Sequence, residues 1–391
     1  GSYGSLGNQV MDDLGNFPYL ATYGTNSSYN YLINGSKPVI VKAPGLVAPD
    51  FTWETVTQMD FGFDASFLNN RLTGTFDWYR RNTKDMLVAG ATLPATLGAS
   101  VPKSNSADMK TIGWELSLGW NDRLENGFSY WVKGVLSDYQ ATITKYAGND
   151  AGFYSQSDGD GKYYVGQKIG EIWGYHSNGL FQSDDEAATI DQSELYAGKW
   201  GAGDVKYEDL DNDGKITKGE ETIYNPGDKS IIGNKTPRYQ FGITVGFDYK
   251  NFDFEMFWQG TGKRDYMLSG AQFWGFTSQW DVPYTPALDY WTETNTDAYF
   301  PRPGWQNGGN RVTSDRYLQS AAYGRLKNLT VGYTIPKNLT TKWGISRLRL
   351  YVTGENLLTI TPLNDAFDPE TLGGMTYPIN RKVAIGLNLT L

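Results

Sequence analysis

Strict alternation of apolar and polar residues over long segments constrains the fold of this chain more than any other sequence feature. Between residues 58 and 67 the odd positions hold Met, Phe, Phe, Ala and Phe, whereas the even positions hold Gln, Asp, Gly, Asp and Ser. Successive side chains of a β-strand point to opposite faces, so this period of two predicts strands with one apolar and one polar face. The pattern recurs in residues 72–81, 111–121, 239–250, 252–258, 348–353 and 383–391.

The length of these segments favours one β architecture. They run for roughly nine to fifteen residues, whereas a membrane-spanning strand needs about nine to eleven and an ordinary globular strand about five or six. Several carry aromatic residues at both ends, as at Tyr239 and Tyr249, where outer-membrane barrels place their interfacial girdles. We therefore predict an all-β fold, a transmembrane antiparallel β-barrel with about ten strands in this chain. The alternative is a soluble β-sandwich whose apolar face points inward.

The connections between these segments alternate in length. Short turns are predicted at residues 69–71, 122–127, 250–251 and 336–344, and long loops at residues 10–50, 82–108, 146–237, 261–322 and 360–379. Outer-membrane barrels combine short periplasmic turns with long extracellular loops, so we predict that orientation here. Residues 1–7 form a short first strand, and we expect further strands to precede it.

Composition argues against several kinds of function. The net charge is −9 and no basic stretch offsets it, so nucleic acid is not an expected partner. There is no cysteine, which excludes disulfides and thiolate metal sites, and the single histidine, His176, disfavours a histidine-based catalytic or zinc site. No apolar run is long enough for a transmembrane helix, which needs about eighteen residues or more. We expect no enzymatic activity.

Several motifs resemble, in the same order, those of SusC-like TonB-dependent transporters of Bacteroidetes-type bacteria. The run RLKNLTVGYTIP at residues 325–336 is followed by LRLYVTGENL at 348–357 and DPE at 368–370. Upstream are WE at 53–54, NRL at 70–72, DML at 85–87, GWE at 113–115, GEIWGY at 170–175 and GLF at 179–181. The resemblance covers essentially the whole chain.

The resemblance implies a function in the bacterial outer membrane. Residues 1–391 would be the C-terminal part of a larger barrel of the 22-stranded type, without the N-terminal strands, the plug and the segment that contacts TonB. The whole protein would import oligosaccharides or peptides, energised by TonB through the plug and assisted by a SusD-like surface lipoprotein that acts as a hinged lid. The outward strand faces would contact membrane lipid.

One metal motif lies in the long loop at residues 146–237. Residues 209–220, DLDNDGKITKGE, match the D-x-D-x-D-G pattern of an EF-hand calcium loop, with Glu at the twelfth position. Calcium prefers oxygen ligands, and alternate carboxylates on a curved backbone point inward together. The alternative is a solvated acidic turn without metal. We predict a structural Ca²⁺ site whose ligands are Asp209, Asp211, Asp213, Lys215 through its carbonyl, Thr217 directly or through water, and Glu220.

The residues that contact the substrate stay unassigned by sequence. The aromatic stretch at residues 273–291 can stack on sugars or peptide side chains, or pack within its loop or on the lipoprotein. Charged residues predicted on the barrel interior either line a substrate path or form ion-pair ladders: Arg81, Glu115, Arg347, Arg349 and Glu355. Two other functions stay open, a passive porin made from a smaller closed barrel and a secreted, calcium-stabilised glycan-binding or glycan-cleaving β-protein.

Overall fold

A computed structural model describes residues 1–8, 19–26, 32–41, 44–49, 51–89, 94, 96, 101–147, 149, 152, 163–372 and 377–391. No helix in these residues is long and apolar enough to cross a membrane. Among the described residues, short 3₁₀ helices include Thr285–Leu288, Gly308–Arg311 and Thr341–Trp343. The strands and α-helices are β1 (Ser2–Asn8), β2 (Thr25–Asn26), β3 (Ile40–Val41), β4 (Glu54–Phe67), β5 (Leu72–Ala89), β6 (Lys103–Arg123), β7 (Ser129–Tyr146), β8 (Glu171–Tyr175), β9 (Ser177–Leu180), α1 (Asp184–Ala187), β10 (Val205–Tyr207), β11 (Lys229–Asn234), β12 (Arg238–Tyr249), β13 (Phe252–Lys263), β14 (Asp265–Met267), α2 (Ala271–Trp274), β15 (Leu318–Ser320), β16 (Tyr323–Thr334), α3 (Lys337–Thr340), β17 (Arg347–Ile360) and β18 (Lys382–Thr390).

Ten of these strands form one antiparallel sheet in the order β1-β4-β5-β6-β7-β12-β13-β16-β17-β18. Each strand therefore pairs with the long strands before and after it in the chain, as expected of an up-and-down barrel wall. In the described residues β1 and β18 do not pair with each other, so the sheet is part of a barrel rather than a closed one. The predicted all-β architecture with about ten strands is confirmed.

The predicted loop at residues 82–108 is wrong in its extent. Strand β5 continues to Ala89 and β6 already begins at Lys103, so the two strands pair well beyond the segment with apolar alternation. Backbone ladder bonds maintain this extension, and they need no apolar face. The predicted loop at residues 10–50 lies largely outside the described residues, which contain only the two-stranded pair β2–β3 from it.

One face of the ten-stranded sheet is apolar. The register places six side chains from β7 to β18 in a single row: Tyr130, Phe247, Phe254, Val331, Val352 and Ile385. Phe63 on β4 is 62% exposed and Ile385 is 84% exposed in this chain. A row of large exposed apolar side chains suits contact with lipid and would be unfavourable in water.

The opposite face is polar and partly braced by ion pairs. One row on this face reads Lys133, Thr244, Phe257, Asn328, Glu355 and Lys382. Arg349 Nε donates to Asp253 Oδ1 at 2.9 Å although β16 lies between their strands. The pair passes over Gly332, where a Cβ atom would collide with both side chains. Arg349 therefore takes part in an ion pair that spans three strands. Of the two roles predicted for the interior charges, Arg349 has that of an ion pair within the wall.

Three long connections of the sheet share one hydrophobic core. We call the described residues 163–237, 264–322 and 361–372 the loop module. Its buried apolar side chains come from all three connections, so the connections pack together as a unit. These side chains are Tyr175, Leu180, Val205, Tyr207, Ile216, Leu268, Phe273, Ala287, Phe300, Tyr317, Ala321, Leu363, Phe367 and Leu372.

Adjacent residues of β16 test the assignment of the two faces. Leu329 lies on the apolar face between Met256 and Gly354, whereas Thr330 lies on the polar face between Glu255 and Thr353. We expect Leu329→Arg to lower the free energy of unfolding by about 2–4 kcal/mol, because it puts a charge in the hydrocarbon layer. Thr330→Arg should change it by no more than about 1 kcal/mol.

Urea titration of the full-length protein in phospholipid vesicles, followed by tryptophan fluorescence, measures this difference. Equal destabilisation by the two arginines would contradict the assignment of the faces.

Candidate functional site

The segment at residues 209–220 folds as a tight turn rich in backbone-to-carboxylate bonds. Gly214 N donates to Asp209 Oδ2 at 2.8 Å and Lys215 N donates to Asp213 Oδ1 at 2.8 Å. Gly214 has φ of 83°, in the left-handed region that glycine adopts without strain. Asn212, at φ 61°, occupies the same region. The sharp bend predicted for this position is therefore present.

A carboxylate from outside the motif joins two of the predicted ligands. Among the described residues, Asp209, Asp211 and Asp228 each offer a carboxylate oxygen within 4.8 Å of the others, and this group contains neither Asp213 nor Glu220. Asp228 is fully buried, and it accepts hydrogen bonds from Leu210 N and Thr217 N, both at 2.7 Å. Asp228 therefore holds Leu210 and Thr217 of the loop in place as well as lying beside its carboxylates.

The loop is anchored to the core of the loop module. Ile216 is 1% exposed and belongs to that core. Ile216 N donates to Asp191 O at 2.7 Å, and Asp191 N donates to Gly214 O at 3.1 Å. If residues 209–220 became disordered, the packing of the core around Ile216 would therefore be disturbed.

Electrostatic repulsion is concentrated at Asp211. Its pKa lies above the usual range, first because of desolvation and then because of the neighbouring carboxylates of Asp213, Asp228 and Asp209. A bond from Asp213 N opposes this effect. Ionising all these groups together is unfavourable without a cation, and a bound cation would relieve the repulsion.

Asp204 joins two of the three connections in the loop module. It is 1% exposed and accepts hydrogen bonds from Arg302 Nε at 3.1 Å, Arg302 Nη2 at 2.9 Å, Asn310 Nδ2 at 2.8 Å and Gly201 N at 3.0 Å. Arg302 and Asn310 lie about a hundred positions away in sequence. Buried charge of this kind is stable only when it is fully hydrogen-bonded, as it is here.

Arg325 joins the third connection to the barrel wall. It lies on β16 at 2% exposure, and its Nη2 donates to Asp368 Oδ2 at 2.6 Å while its Nε donates to Thr359 Oγ1 at 2.9 Å. Lys327 Nζ donates to Glu370 at 3.0 and 3.1 Å. The motifs at residues 325–336 and 368–370, recognised separately in the sequence, thus contact each other through ion pairs.

The aromatic stretch at residues 273–291 divides into a buried and an exposed part. Phe273 is fully buried, and Trp274 packs on Tyr317 with ring centroids 4.5 Å apart. Trp280 is 83% exposed and Tyr284 is 47% exposed. Asp281 Oδ2 accepts bonds from the main-chain N of residues 277 and 278, both at 2.7 Å, which fixes the turn that carries Trp280. Internal packing therefore accounts for both ends of the stretch, because Tyr290 and Trp291 also pack against the core, and leaves its middle open to ligands.

Comparison with known proteins identifies the family. The family model described as "TonB dependent receptor-like, beta-barrel" matches residues 2–357. The chain belongs to this TonB-dependent receptor family. The resemblance predicted from sequence motifs is confirmed, and the family implies the bacterial outer membrane as the location of this receptor barrel.

Curated relatives of this receptor barrel are similar along its whole length. TonB-dependent receptor P3 of Formosa agariphila is 29% identical over 425 residues, which cover 99% of this chain and 38% of the relative. TonB-dependent receptor SusC of Bacteroides thetaiotaomicron is 26% identical over 394 residues, covering 99% and 37%. The chain thus spans about two fifths of these relatives.

Solved structures support the same fold. One structure of the RagAB peptide transporter superimposes with a TM-score of 0.74 at 22% identity, covering 99% of this chain and 40% of that chain. A structure of the RagAB peptide importer in the "open-open" state gives 0.74 at 21% identity, covering 100% and 39%.

In this receptor barrel His176 makes hydrogen bonds to two residues that are distant in sequence, Ser230 and Asp315. Its Nδ1 lies 2.8 Å from Asp315 Oδ2 and its Nε2 lies 2.6 Å from Ser230 Oγ, while Ser177 N donates to Asp315 Oδ1 at 2.9 Å. Because the family is one of receptors and transporters, we assign this chain of hydrogen bonds to anchoring of the loop module. The absence of enzymatic activity stays a prediction.

Sequence reasoning missed the anchors of the module. The sequence motifs assign no contact to Asp204, Asp228, Arg302 or Arg325. No local signal marks them, because each pairs with residues far away in sequence. The DPE motif at residues 368–370 is the one available clue, because its two carboxylates need cationic partners wherever they are buried.

Substitution of Asp204 tests its role in the receptor's loop module. Asp204→Ala leaves Arg302 and Asn310 without their acceptor, so we expect the free energy of local opening to fall by about 2–3 kcal/mol. This is less than the roughly 3–5 kcal/mol typical of fully buried pairs, because Arg302 is 42% exposed and water can replace part of the interaction.

Hydrogen–deuterium exchange over residues 200–210 and 300–312 of the full-length protein measures the effect. Lys199→Ala is the control, since the Lys199–Asp184 pair is exposed and its loss should leave protection unchanged. Unaltered protection in Asp204→Ala would contradict the anchoring role.

Proposed function

We propose that this chain forms part of the barrel wall and the loop module of an outer-membrane importer that is energised by TonB. The observation that carries the proposal is the ten-stranded sheet with one apolar and one polar face, in a chain that belongs to the TonB-dependent receptor family. An apolar outer face and a polar interior are what a transporter wall requires.

The proposal includes an orientation. The loop module lies on the extracellular side and the short turns, such as residues 250–251, lie in the periplasm. Three of the long connections pack into one folded unit, which gives a stable surface for a ligand or a surface lipoprotein. Short turns at the other edge fit the periplasmic side of bacterial barrels.

The proposed cargo is an oligosaccharide or a peptide, delivered with a SusD-like lipoprotein. SusC is among the similar proteins, and structures of a RagAB peptide transporter share the fold. Trp280 and Tyr284 present exposed rings on the loop module, and aromatic rings of this kind suit either cargo. The plug and the site of TonB contact would lie in the remainder of the receptor.

Removal of TonB tests the proposed import. Cells that produce the full-length receptor should deplete oligosaccharides or peptides from a defined mixture, and depletion should stop when TonB is deleted or a protonophore is added. Mass spectrometry of the medium measures each compound. Cells without the receptor are the control.

The same assay separates the rival functions. Depletion that continues without TonB would favour the passive porin, which also requires a closed barrel of about ten strands. A protein that is secreted and soluble without detergent would favour the glycan-binding alternative. Either result would overturn the importer.

We further propose that the segment at residues 209–220 binds a structural Ca²⁺. The motif supplies oxygen ligands in the spacing that Ca²⁺ uses, and the close approach of Asp209, Asp211 and Asp228 supports it. Asp228 adds a buried carboxylate to the predicted set of Asp213, Lys215 O, Thr217 and Glu220. An ion here would neutralise the repulsion at Asp211 and order the loop through Ile216.

Calcium titration of the full-length receptor checks this proposal. We expect a Kd of about 0.1–1 mM, the range of extracellular modules, and a loss of roughly tenfold or more in Asp209→Asn, because one ligand charge is removed. Asp185→Asn, an exposed aspartate outside the segment, is the control and should bind like the wild type.

The pH dependence follows from the raised pKa of Asp211. Calcium requires ionised carboxylates, so affinity should be full at pH 7 and fall as the pH drops toward the raised pKa. Isothermal calorimetry at pH 7 and at about pH 5 measures this change. In the Asp209→Asn comparison, equal calcium affinity of the variant and the wild type would contradict the proposed site and leave residues 209–220 as a turn without metal.

A further inference from the structure

A band of polar and cationic side chains crosses the outward face of the sheet just above its apolar part. The register places Ser5, Thr57, Asn82, Lys110 and Thr142 side by side across β1, β4, β5, β6 and β7. All five alternate in phase with the apolar residues of their strands, so they share the face that contacts lipid lower down. Every one of them can donate a hydrogen bond.

Three cations converge around Asn82 in this band. Arg80 and Lys84 lie two residues before and after it on β5, and Lys110 lies directly opposite on β6. Neighbouring strands are about 4.8 Å apart and alternate residues about 6.6 Å apart, so all three charges are within one side-chain length of Asn82. Arg80 Nε donates to Asn82 Oδ1 at 3.3 Å, which leaves the Asn82 amide N–H groups available. We call Arg80, Asn82, Lys84 and Lys110 the outer cationic patch.

The three cations of the patch outnumber the nearby acidic residues that no other arginine or lysine neutralises. In the described part of the chain neither Lys84 nor Lys110 takes part in an ion pair, and Lys84 and Arg80 are exposed. Of the acidic residues nearby, Asp138 is 7% exposed and paired with Arg238. Asp85 follows Lys84 and Asp108 lies two residues from Lys110, so two carboxylates remain beside three cations. The patch therefore presents net positive charge on the outside of the wall.

The height of the patch matches a membrane interface. From Leu72, which begins β5 at the short-turn edge, to Asn82 there are ten residues. At about 3.3 Å per residue and a tilt of about 40°, they rise roughly 25 Å, the height of the apolar band of an outer-membrane barrel. The headgroup layer begins at that height.

Aromatic residues lie on the outward face below the patch. Phe61, Trp78 and Trp114 form one row on the outward face, four residues before Asn82 along β5. The rings of Phe61 and Trp78 lie 6.3 Å apart. Aromatic side chains are enriched toward the membrane interfaces of outer-membrane barrels. Farther round the sheet, the outward row Gly260, Gly324 and Ile360 carries no charge.

We propose that the outer cationic patch binds the phosphate group of a phosphorylated membrane lipid in the leaflet next to the long connections. The cations neutralise the phosphate, the amide of Asn82 and the hydroxyls of Thr57 and Thr142 donate hydrogen bonds, and the acyl chains lie on the apolar face beneath. The site needs only a wall that spans the membrane. It does not depend on the import activity, so the two proposals can fail separately.

Native mass spectrometry of the full-length protein in a neutral detergent tests the proposal. The probes are monophosphoryl lipid A, its dephosphorylated form, and inorganic phosphate. The wild type should bind the phosphorylated lipid, and the triple variant Arg80→Gln, Lys84→Gln, Lys110→Gln should bind it on the order of 100-fold more weakly, because each basic residue near an anionic surface contributes about 1 kcal/mol.

A matched control makes the same charge change on the other face. Arg81→Gln, Lys133→Gln and Arg347→Gln remove three cations from the polar face of the sheet and should leave lipid affinity unchanged. Retention of a folded, heat-modifiable band on an SDS gel shows that each variant has assembled.

Three results would overturn the proposal. One is equal loss of lipid by the two triple variants, which would indicate a general charge effect. Another is equal binding of the phosphorylated and dephosphorylated lipids, which would indicate acyl-chain contact alone. The third is competition by inorganic phosphate at the affinity of the lipid, which would indicate a free-anion site.

Discussion

The requirement that every backbone N–H and C=O find a partner inside the hydrocarbon layer governs this structure. The antiparallel ladder from β1 to β18 meets it for the ten long strands. An extended backbone turns alternate side chains to opposite faces, so the same ladder requires an apolar residue at every second position. An open edge in lipid would leave unpaired backbone groups, so the sheet edges at β1 and β18 must be paired or covered in the membrane.

The ladder also determines where irregular structure can occur. Non-ladder backbone needs water or a packed core of its own, and the three long connections provide one in the loop module. Buried ion pairs then fix that module: Asp204 with Arg302 between two connections, and Arg325 with Asp368 between the third connection and the wall. Burying these charges costs free energy, which nearly complete hydrogen bonding offsets. Because each charge needs its particular partner, the pairs also specify how the connections pack.

The segment at residues 209–220 shows how much of a metal site a sequence motif can predict. Its backbone bend at Gly214 follows from local residue types, and the structure has it as the motif predicts. The set of converging carboxylates does not follow from the motif, since Asp228 approaches Asp209 and Asp211 from the next turn of the chain. A spacing rule describes neighbours in sequence, whereas a cation site is defined by oxygen atoms that are close in space.

The sequence by itself determined that about ten long strands occur, which faces they present and, through its motifs, the family. Those properties are local, because a period of two and the alternation of short and long connections can be read within a few residues. The tertiary structure alone decided that the hairpin β5–β6 extends past the apolar band, that half of the aromatic stretch is buried, and that Asp204, Asp228 and Arg325 are anchors. Each of these depends on groups brought together from distant segments, and no local pattern encodes which distant partner a buried charge will find.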